Sequence, residues 1–454
     1  MTIARTARRL VAPAALLLAI GLAPAGAAES YTLKDLSVDD GQVHLSAPEL
    51  TVTGGGLSRA EVETLARTGK PGELLSRLVA GGAEAIAAPM LTVDVRRPDP
   101  GNAGGTRSRT SLKGLQVKGL KAGVAATLTA EGLTTTLDKG GEVKTGAIQA
   151  REAGFGALAR LALGQPAGEG YVPLLGEARV EALAMSSPTA TTSAAAMTLK
   201  SLRARGGKAA TDLFPALGQI EISDLKGSRG EAPGAPRQSW SMASLTLGAE
   251  GGRTDAPGQF SAAVTRLAVE AGANGSKDLA ELGYAPLLLA AALDGGWDAG
   301  RQELTVHRLA VSGEQFGGIT FTALLGNVTR AALEGTGGGK GLSAATVKTM
   351  SVVVENTGLF ERLVARQAKA TGVAPAQARA RMTTQAQMIA GMMLGEQARA
   401  PLGEAVNRFL AAPGRLTVRS EARTPAGVPV SELTRKTGSD PAIAGQFTVT
   451  AEVR

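Results

Sequence analysis

One short apolar pattern recurs along this chain and narrows the folds open to it. It runs: an apolar residue, two others, an apolar residue, one other, a third apolar residue. The copies are Leu33, Leu36, Val38; Leu112, Leu115, Val117; Leu199, Leu202, Ala204; Met242, Leu245, Leu247; Val264, Leu267, Val269; Val306, Leu309, Val311; and Val347, Met350, Val352. A strand has a side-chain period of two, so the extra residue throws the apolar set onto the other face unless a bulge absorbs it. Each copy reads as a bulged or strongly twisted strand, or as one buried on both sides. Chance recurrence in a chain that is 44% apolar is the competing explanation. The 60 glycines show no collagen-like period and suit tight turns and bent strands. The expected fold is therefore β-dominated α+β, an extended antiparallel meander with helical excursions near both ends.

The meander is clearest between Leu282 and Val328. Leu304–Ser312 and Ile319–Leu325 alternate apolar and polar residues across glycine-bearing breaks, as neighbouring antiparallel strands do. The segment before them, Tyr284–Trp297, stays ambiguous, because Pro286 followed by LLLAAAL could also open a helix. Further strands are expected at Thr32–Val38, Val43–Val52, Met90–Arg96, within Thr110–Leu137, and at Ala178–Ala184, Ala195–Ala204, Gln219–Lys226, Ser239–Gly248 and Phe260–Glu270.

Helices interrupt this pattern at two places. Ser58 with Glu61 three residues on forms a capping box for a first helix, and a second is expected from about Pro71 to Ile86, ahead of the break Ala87-Ala88-Pro89. An exposed loop is expected over Pro98–Gly105, and a short helix around Phe155–Leu163. Near the C-terminus a strand at Val347–Glu355 leads into a longer helical excursion, with Leu359, Leu363 and Val364 on one helix stopped near Gly372 and another opening at Pro375. Ala411-Ala412-Pro413 then precedes Leu416-Thr417-Val418, so the two excursions look like related caps on one sheet. The organisation read from this is a signal peptide at 1–28, N-terminal strands with a helical insertion at 29–150, a central meander at 151–345, and C-terminal strands with a multi-helix insertion at 346–454.

The N-terminal segment up to Ala28 has the order the export machinery reads: Arg5, Arg8 and Arg9, an apolar run from Leu10 to Leu22, then Ala25-Gly26-Ala27-Ala28. Export with cleavage after Ala27 or Ala28 is expected, to the periplasm or beyond it. The run is short for a membrane span, and no transmembrane segment is expected in the mature chain. The chain has no cysteine, which excludes disulfides and thiolate metal sites. Removing the leader takes three of 48 basic and none of 40 acidic residues, so the formal charge falls from +8 to +5. Basic residues are scattered and aromatics make up 3% of the chain, which argues against nucleic acid as a partner.

The residues LGY before an apolar segment, the Trp297-Asp298 turn, ELTVHRLAV, TALLGNV, ENTGLFERLVARQA and FLAAPGRLTV resemble a family of exported alphaproteobacterial proteins of unknown function. The resemblance covers roughly Gly154 to the C-terminus and tilts Leu287–Leu293 towards strand. It implies no catalytic residues. More distantly, in architecture alone, the chain is similar to groove-forming envelope proteins of the AsmA type, without their membrane anchor.

No motif for catalysis, a cofactor or a metal is present. His44 and His307 both fall within expected strands; either could in principle serve a zinc site or a Ser-His-Asp triad, but an ordinary strand position is the simpler reading. There is no G-x-S-x-G elbow and no H-E-x-x-H pair. Gly335-Thr336-Gly337-Gly338-Gly339-Lys340 fails the spacing of a phosphate loop, with Gly341 where Ser or Thr should follow, and reads as a linker. Gly391 and Gly395 form a G-x-x-x-G within an apolar run too short to span a bilayer. The most suggestive group is Met382, Met388, Met392 and Met393, an adaptable apolar surface for a ligand or partner, weighed against gap-filling where a helix packs on the sheet. The functional expectation is a non-catalytic envelope scaffold binding lipid, another hydrophobic ligand or an envelope protein. The alternatives are a purely structural or interaction protein and, further off, an envelope hydrolase with an unmarked acidic pair.

Overall fold

The computed structural model describes residues 29–99, 102–138, 140–155, 157, 171–205, 216–230, 232, 237–251, 257–270, 276–333, 342–435 and 445–454. Of residues 97–99, 102–105, 171, 204–205, 216–217, 257, 386–401 and 434–435 only the backbone is described. The leader-like segment, the glycine-lysine stretch 335–340, and all but Phe155 and Ala157 of the helix expected at Phe155–Leu163 lie outside the described residues. The chain divides into two compact units, residues 1–209 with 215–237 and residues 210–214 with 238–454. Both are β-dominated, and their strand pairings are antiparallel.

The first unit contains β1 (Glu29–Asp39), β2 (Val43–Gly55), α1 (Arg59–Arg67), α2 (Pro71–Gly81), β3 (Ala83–Asp99), β4 (Asn102–Lys121), β5 (Val124–Ala130), β6 (Gly132–Leu137), β7 (Gly141–Thr145), β8 (Ile148–Gly154), β9 (Tyr171–Ser186), β10 (Ala190–Arg205) and β11 (Ala216–Arg229). Strands β1 to β4 pair in sequence. The 20-residue β4 is long enough to pair with β6 along its first half and with β5 along its second. Strands β7 and β8 continue those two half-rows and both pair with β9, and β10 and β11 follow.

In four of its seven copies the recurring apolar pattern holds one residue with a left-handed backbone. In β1, Leu33 and Leu36 are both buried and the two residues between them are exposed, with Asp35 at φ 53°. One left-handed residue resets the pleat, so the apolar set returns to the same face instead of crossing to the other. Gly114, Ser201 and Arg266 occupy the same place in their copies, at φ 62°, 51° and 51°. The Met242 copy lies opposite Arg266, where the ladder lapses between Ser241–Ala268 and Ser244–Thr265. The Val306 and Val347 copies are marked by register shifts. Three further left-handed residues, Glu152, Ala182 and Asp224, occupy the same step in β8, β9 and β11.

A left-handed backbone costs a residue with a Cβ about 1–2 kcal/mol. Ala182→Gly should therefore raise stability by about 1 kcal/mol, whereas Ala184→Gly, in the regular part of the same strand, should lower it by about 0.5–1 kcal/mol. Opposite signs in urea titrations of the two variants check the bulge assignment.

The helices follow their capping signals more closely than their expected lengths. Helix α1 starts on the Ser58–Glu61 capping box and buries Val62. Helix α2 buries Pro71, Leu74, Leu78 and Val79, but it stops at Gly81, not near Ile86. Gly82 takes a φ of 65° there, and Ala83, Ile86, Ala88, Leu91 and Val93 then form the bulged apolar face of β3. Ala87-Ala88-Pro89 is thus strand interior rather than a break. The loop expected over Pro98–Gly105 is likewise shorter, since β3 runs to Asp99 and β4 restarts at Asn102.

Faces of β1 to β6, with Phe155 and Leu174, form one core with α1 and α2. Within it the Tyr31 hydroxyl is buried and, among the described residues, has no hydrogen-bond partner. Burial pushes the phenol from 10.0 up to about 12, and Glu29 and Glu61 add to this. The unfolded chain would release this proton near pH 10 while the folded chain keeps it, so stability should fall as pH rises from about 10 to 12. Tyr31→Phe should remove that slope at little or no cost near neutral pH, because the lost hydroxyl made no bond. Denaturant midpoints at pH 8 and 11 would show both effects.

The second unit contains β12 (Gln238–Gly251), β13 (Pro257–Val269), α3 (Lys277–Glu281), β14 (Leu287–Asp298), β15 (Glu303–Gly313), β16 (Gly317–Gly326), α4 (Arg330–Leu333), β17 (Thr346–Glu355), α5 (Leu359–Thr371), α6 (Pro375–Ala411), β18 (Arg415–Ala422), β19 (Val428–Pro429), α7 (Val430–Arg435) and β20 (Phe447–Val453). Strands β12 to β18 pair in sequence and β20 adds to β18. The ambiguous segment is strand β14. Pairing on both sides, with β13 and β15, overrides the helical leaning of its leucines and alanines.

Trp297 ends β14 in a small core with Leu304, Val328, Ala332, Leu333 and Ala345, and its Nε1 donates to the Val328 carbonyl at 2.8 Å. Helix α5 is tied down at several points. The Arg362 guanidinium lies 4.3 Å from the Tyr284 ring centroid and donates to the carbonyls of Leu282 and Gly283 and to the Gln315 side chain. Arg366 pairs with Asp278 and Glu281 at 3.0 and 2.7 Å. Among the described residues no helix is long and apolar enough to cross a membrane.

Candidate functional site

Cross-strand register in the second unit assembles an aliphatic face. One row runs Leu247, Ala262, Leu293, Leu309, Phe321, Val352, and the next runs Leu245, Val264, Ala291, Val311, Ile319, Val354. The rows are two residues apart along each strand, so they share a face. The row between them, including Thr246, Ala292, Ala310 and Thr320, points the other way and is built of smaller or more polar residues.

The face is closed at two of its margins and open elsewhere. Along the strands towards Trp297 it meets the small core already described. Across the strands it reaches β18, where Leu416 and Ser420 are buried while Arg415 and Arg419 are exposed. Helix α6 contacts β18 and β20, and its Leu402, Ala405 and Leu410 are buried, so its C-terminal part covers the apolar side there. Away from these margins Leu247, Leu309, Val311 and Ile319 are 41%, 46%, 41% and 51% exposed. They are four of the six large hydrophobic residues exposed among those described, so the exposure is concentrated on this face rather than scattered.

The methionine group is described only in part. Met382 packs beside a small core of Val364, Ala368 and Ala378, between α5 and the start of α6. Met388, Met392 and Met393 lie on α6, with their side chains outside the described residues, as does the Gly391 and Gly395 step.

The structure also brings a hydroxyl, an imidazole and a carboxylate together. Ser37 Oγ lies 3.1 Å from His44 Nε2, and His44 Nδ1 lies 3.8 Å from Asp94 Oδ2. This is the order of a catalytic triad, but the geometry does not support the chemistry. The imidazole and carboxylate stand too far apart for the hydrogen bond that would fix the imidazole tautomer. Asp94 instead accepts two bonds from Arg109, at 2.7 and 3.0 Å. His44, Asp94 and Arg109 are successive cross-strand partners on β2, β3 and β4, so the group is a polar ladder on the outer face of the sheet. The sequence hides it because its members come from four strands; only the register joins them. His307 is exposed on β15. Among the described residues no group of three His, Asp or Glu side chains is placed to hold a metal ion.

A family described only as "Uncharacterized protein" matches residues 310–453, which span β15 to β20. The matched region is narrower than the stretch from Gly154 on which the sequence resemblance rests, and it contains Val311, Ile319, α5 and α6. No curated protein matches the chain.

Proposed function

We propose that the chain is a non-catalytic exported envelope protein that holds lipid or another hydrophobic ligand on the open aliphatic face of its second unit. The observation that carries this reading is the gathering of Leu247, Leu309, Val311 and Ile319 on two neighbouring rows, when among the described residues only six large hydrophobic side chains are exposed. Export rests on the order of charge, apolar run and small residues from Arg5 to Ala28. The sequence resemblance to exported alphaproteobacterial proteins supports the same address, and the distant similarity to AsmA-type architecture supports an apolar cargo. A purely structural or interaction role is the second reading. It is favoured by Met382, which packs between helices instead of standing open.

Solvent extraction of the protein purified from its native envelope, followed by mass spectrometry, separates the two. Stoichiometric lipid supports the carrier reading; protein free of lipid and of any other apolar molecule leaves the structural one.

A further inference from the structure

We infer that the open face seats an acyl chain of a zwitterionic phospholipid, laid across β15 and β16 over Leu309, Val311, Ile319 and Phe321. The inference rests on the carrier reading and narrows it to a place and a ligand class. Two cross-strand pairs define the seat, Leu309 with Phe321 and Val311 with Ile319, and Leu293 and Ala291 continue it onto β14.

Size argues against a second copy or another protein as the occupant. Leu247, Leu309, Val311 and Ile319, each exposed to about half its area, together offer on the order of a few hundred Å². A stable protein interface needs about 800 Å² from each partner, centred on aromatic or arginine anchors. Phe321 is the one aromatic residue in the two rows, and neither row includes an arginine.

Charge selects among lipids. The rows carry no ionic side chain, and by strand alternation the nearest ionic pair along these strands, Asp294 opposite Arg308, falls on the other face. A fatty-acid carboxylate, like any anionic headgroup, would find no cation on these rows to pair with. A phospholipid can lay a chain on it while its balanced headgroup stays in water.

The absence of native cysteine makes a direct test available. Ile319→Cys and Thr320→Cys, each carrying a polarity-sensitive dye, are titrated with lysophosphatidylcholine below its micelle concentration and, separately, with palmitate. The expected result is a saturable blue shift at position 319 with lysophosphatidylcholine, none at position 320, and binding weakened about ten-fold or more by Leu309→Asp in the Ile319→Cys background. A response to palmitate alone overturns the choice of lipid, and equal shifts at 319 and 320 overturn the seat in favour of general adsorption. Should the native protein carry extracted lipid while position 319 stays silent, the seat is wrong and the carrier reading survives. If both are negative, both fall. Unchanged circular dichroism and thermal midpoint in the Leu309→Asp protein exclude misfolding as the cause of weakened binding.

Discussion

Trp297→Ala should destabilise the protein by about 3–5 kcal/mol, the range for truncating a large aromatic side chain in a core. Trp297 is 8% exposed, packs among Leu304, Val328, Ala332, Leu333 and Ala345, and gives its Nε1 hydrogen to Val328 O. Removing it opens a cavity and strands a buried carbonyl, and the two costs add. Trp297→Phe keeps most of the packing and loses only the bond, so it should cost about 1–2 kcal/mol. Urea midpoints for both variants read the ordering. Equal small losses would mean that this corner of the second unit is not closed, and the aliphatic face would then lose one of its margins.

Leu74→Ala should cost about 2–5 kcal/mol in the first unit. Leu74 is fully buried on α2 beside Leu78 and Val79, in the core that spans β1 to β6. The neighbouring Leu75 is only partly buried, so Leu75→Ala is an internal control expected to cost well under half as much. Chemical denaturation of the pair would also show whether α2 is built into the sheet core, as its burial requires, or merely rests on it.

How far the sequence speaks depends on the range of the interaction involved. The bulges are legible because a left-handed residue inside a strand leaves a local mark: two polar positions between apolar ones, as at Lys34 and Asp35 between Leu33 and Leu36. Three bulges escape this signal. Those at Glu152 and Asp224 are flanked partly by alanine or glycine, which blur the apolar mark. The one at Ala182 has the full pattern Val180, Leu183, Met185, but the strand expected there stops at Ala184, one residue short of completing it. The α1 capping box is legible for the same local reason; the Gly81-Gly82 pair that ends α2 is a local signal too, but Ala83, Ala85 and Ile86 beyond it mask the stop.

The candidate site is legible only in its materials. Leu309, Val311 and Ile319 stand out as alternating strand residues, but alternation alone does not separate a buried face from an open one. That distinction depends on what covers the sheet, and the helix that covers β18 and β20 arrives from much further along the chain. The Ser37, His44, Asp94 and Arg109 ladder is hidden for a related reason, since cross-strand neighbours depend on register.

The openness of the aliphatic face is the claim on which the functional account stands, and cysteine accessibility measures it most directly. In this cysteine-free chain, single variants Leu309→Cys, Ile319→Cys and Leu304→Cys report one position each. With a maleimide reagent on lipid-stripped native protein, positions 309 and 319 should label quickly, in keeping with side chains 46% and 51% exposed, while position 304, at 9%, should label at least ten-fold more slowly. Protection at 309 and 319 equal to that at 304 would mean that the face is covered by the protein itself, and would contradict the account.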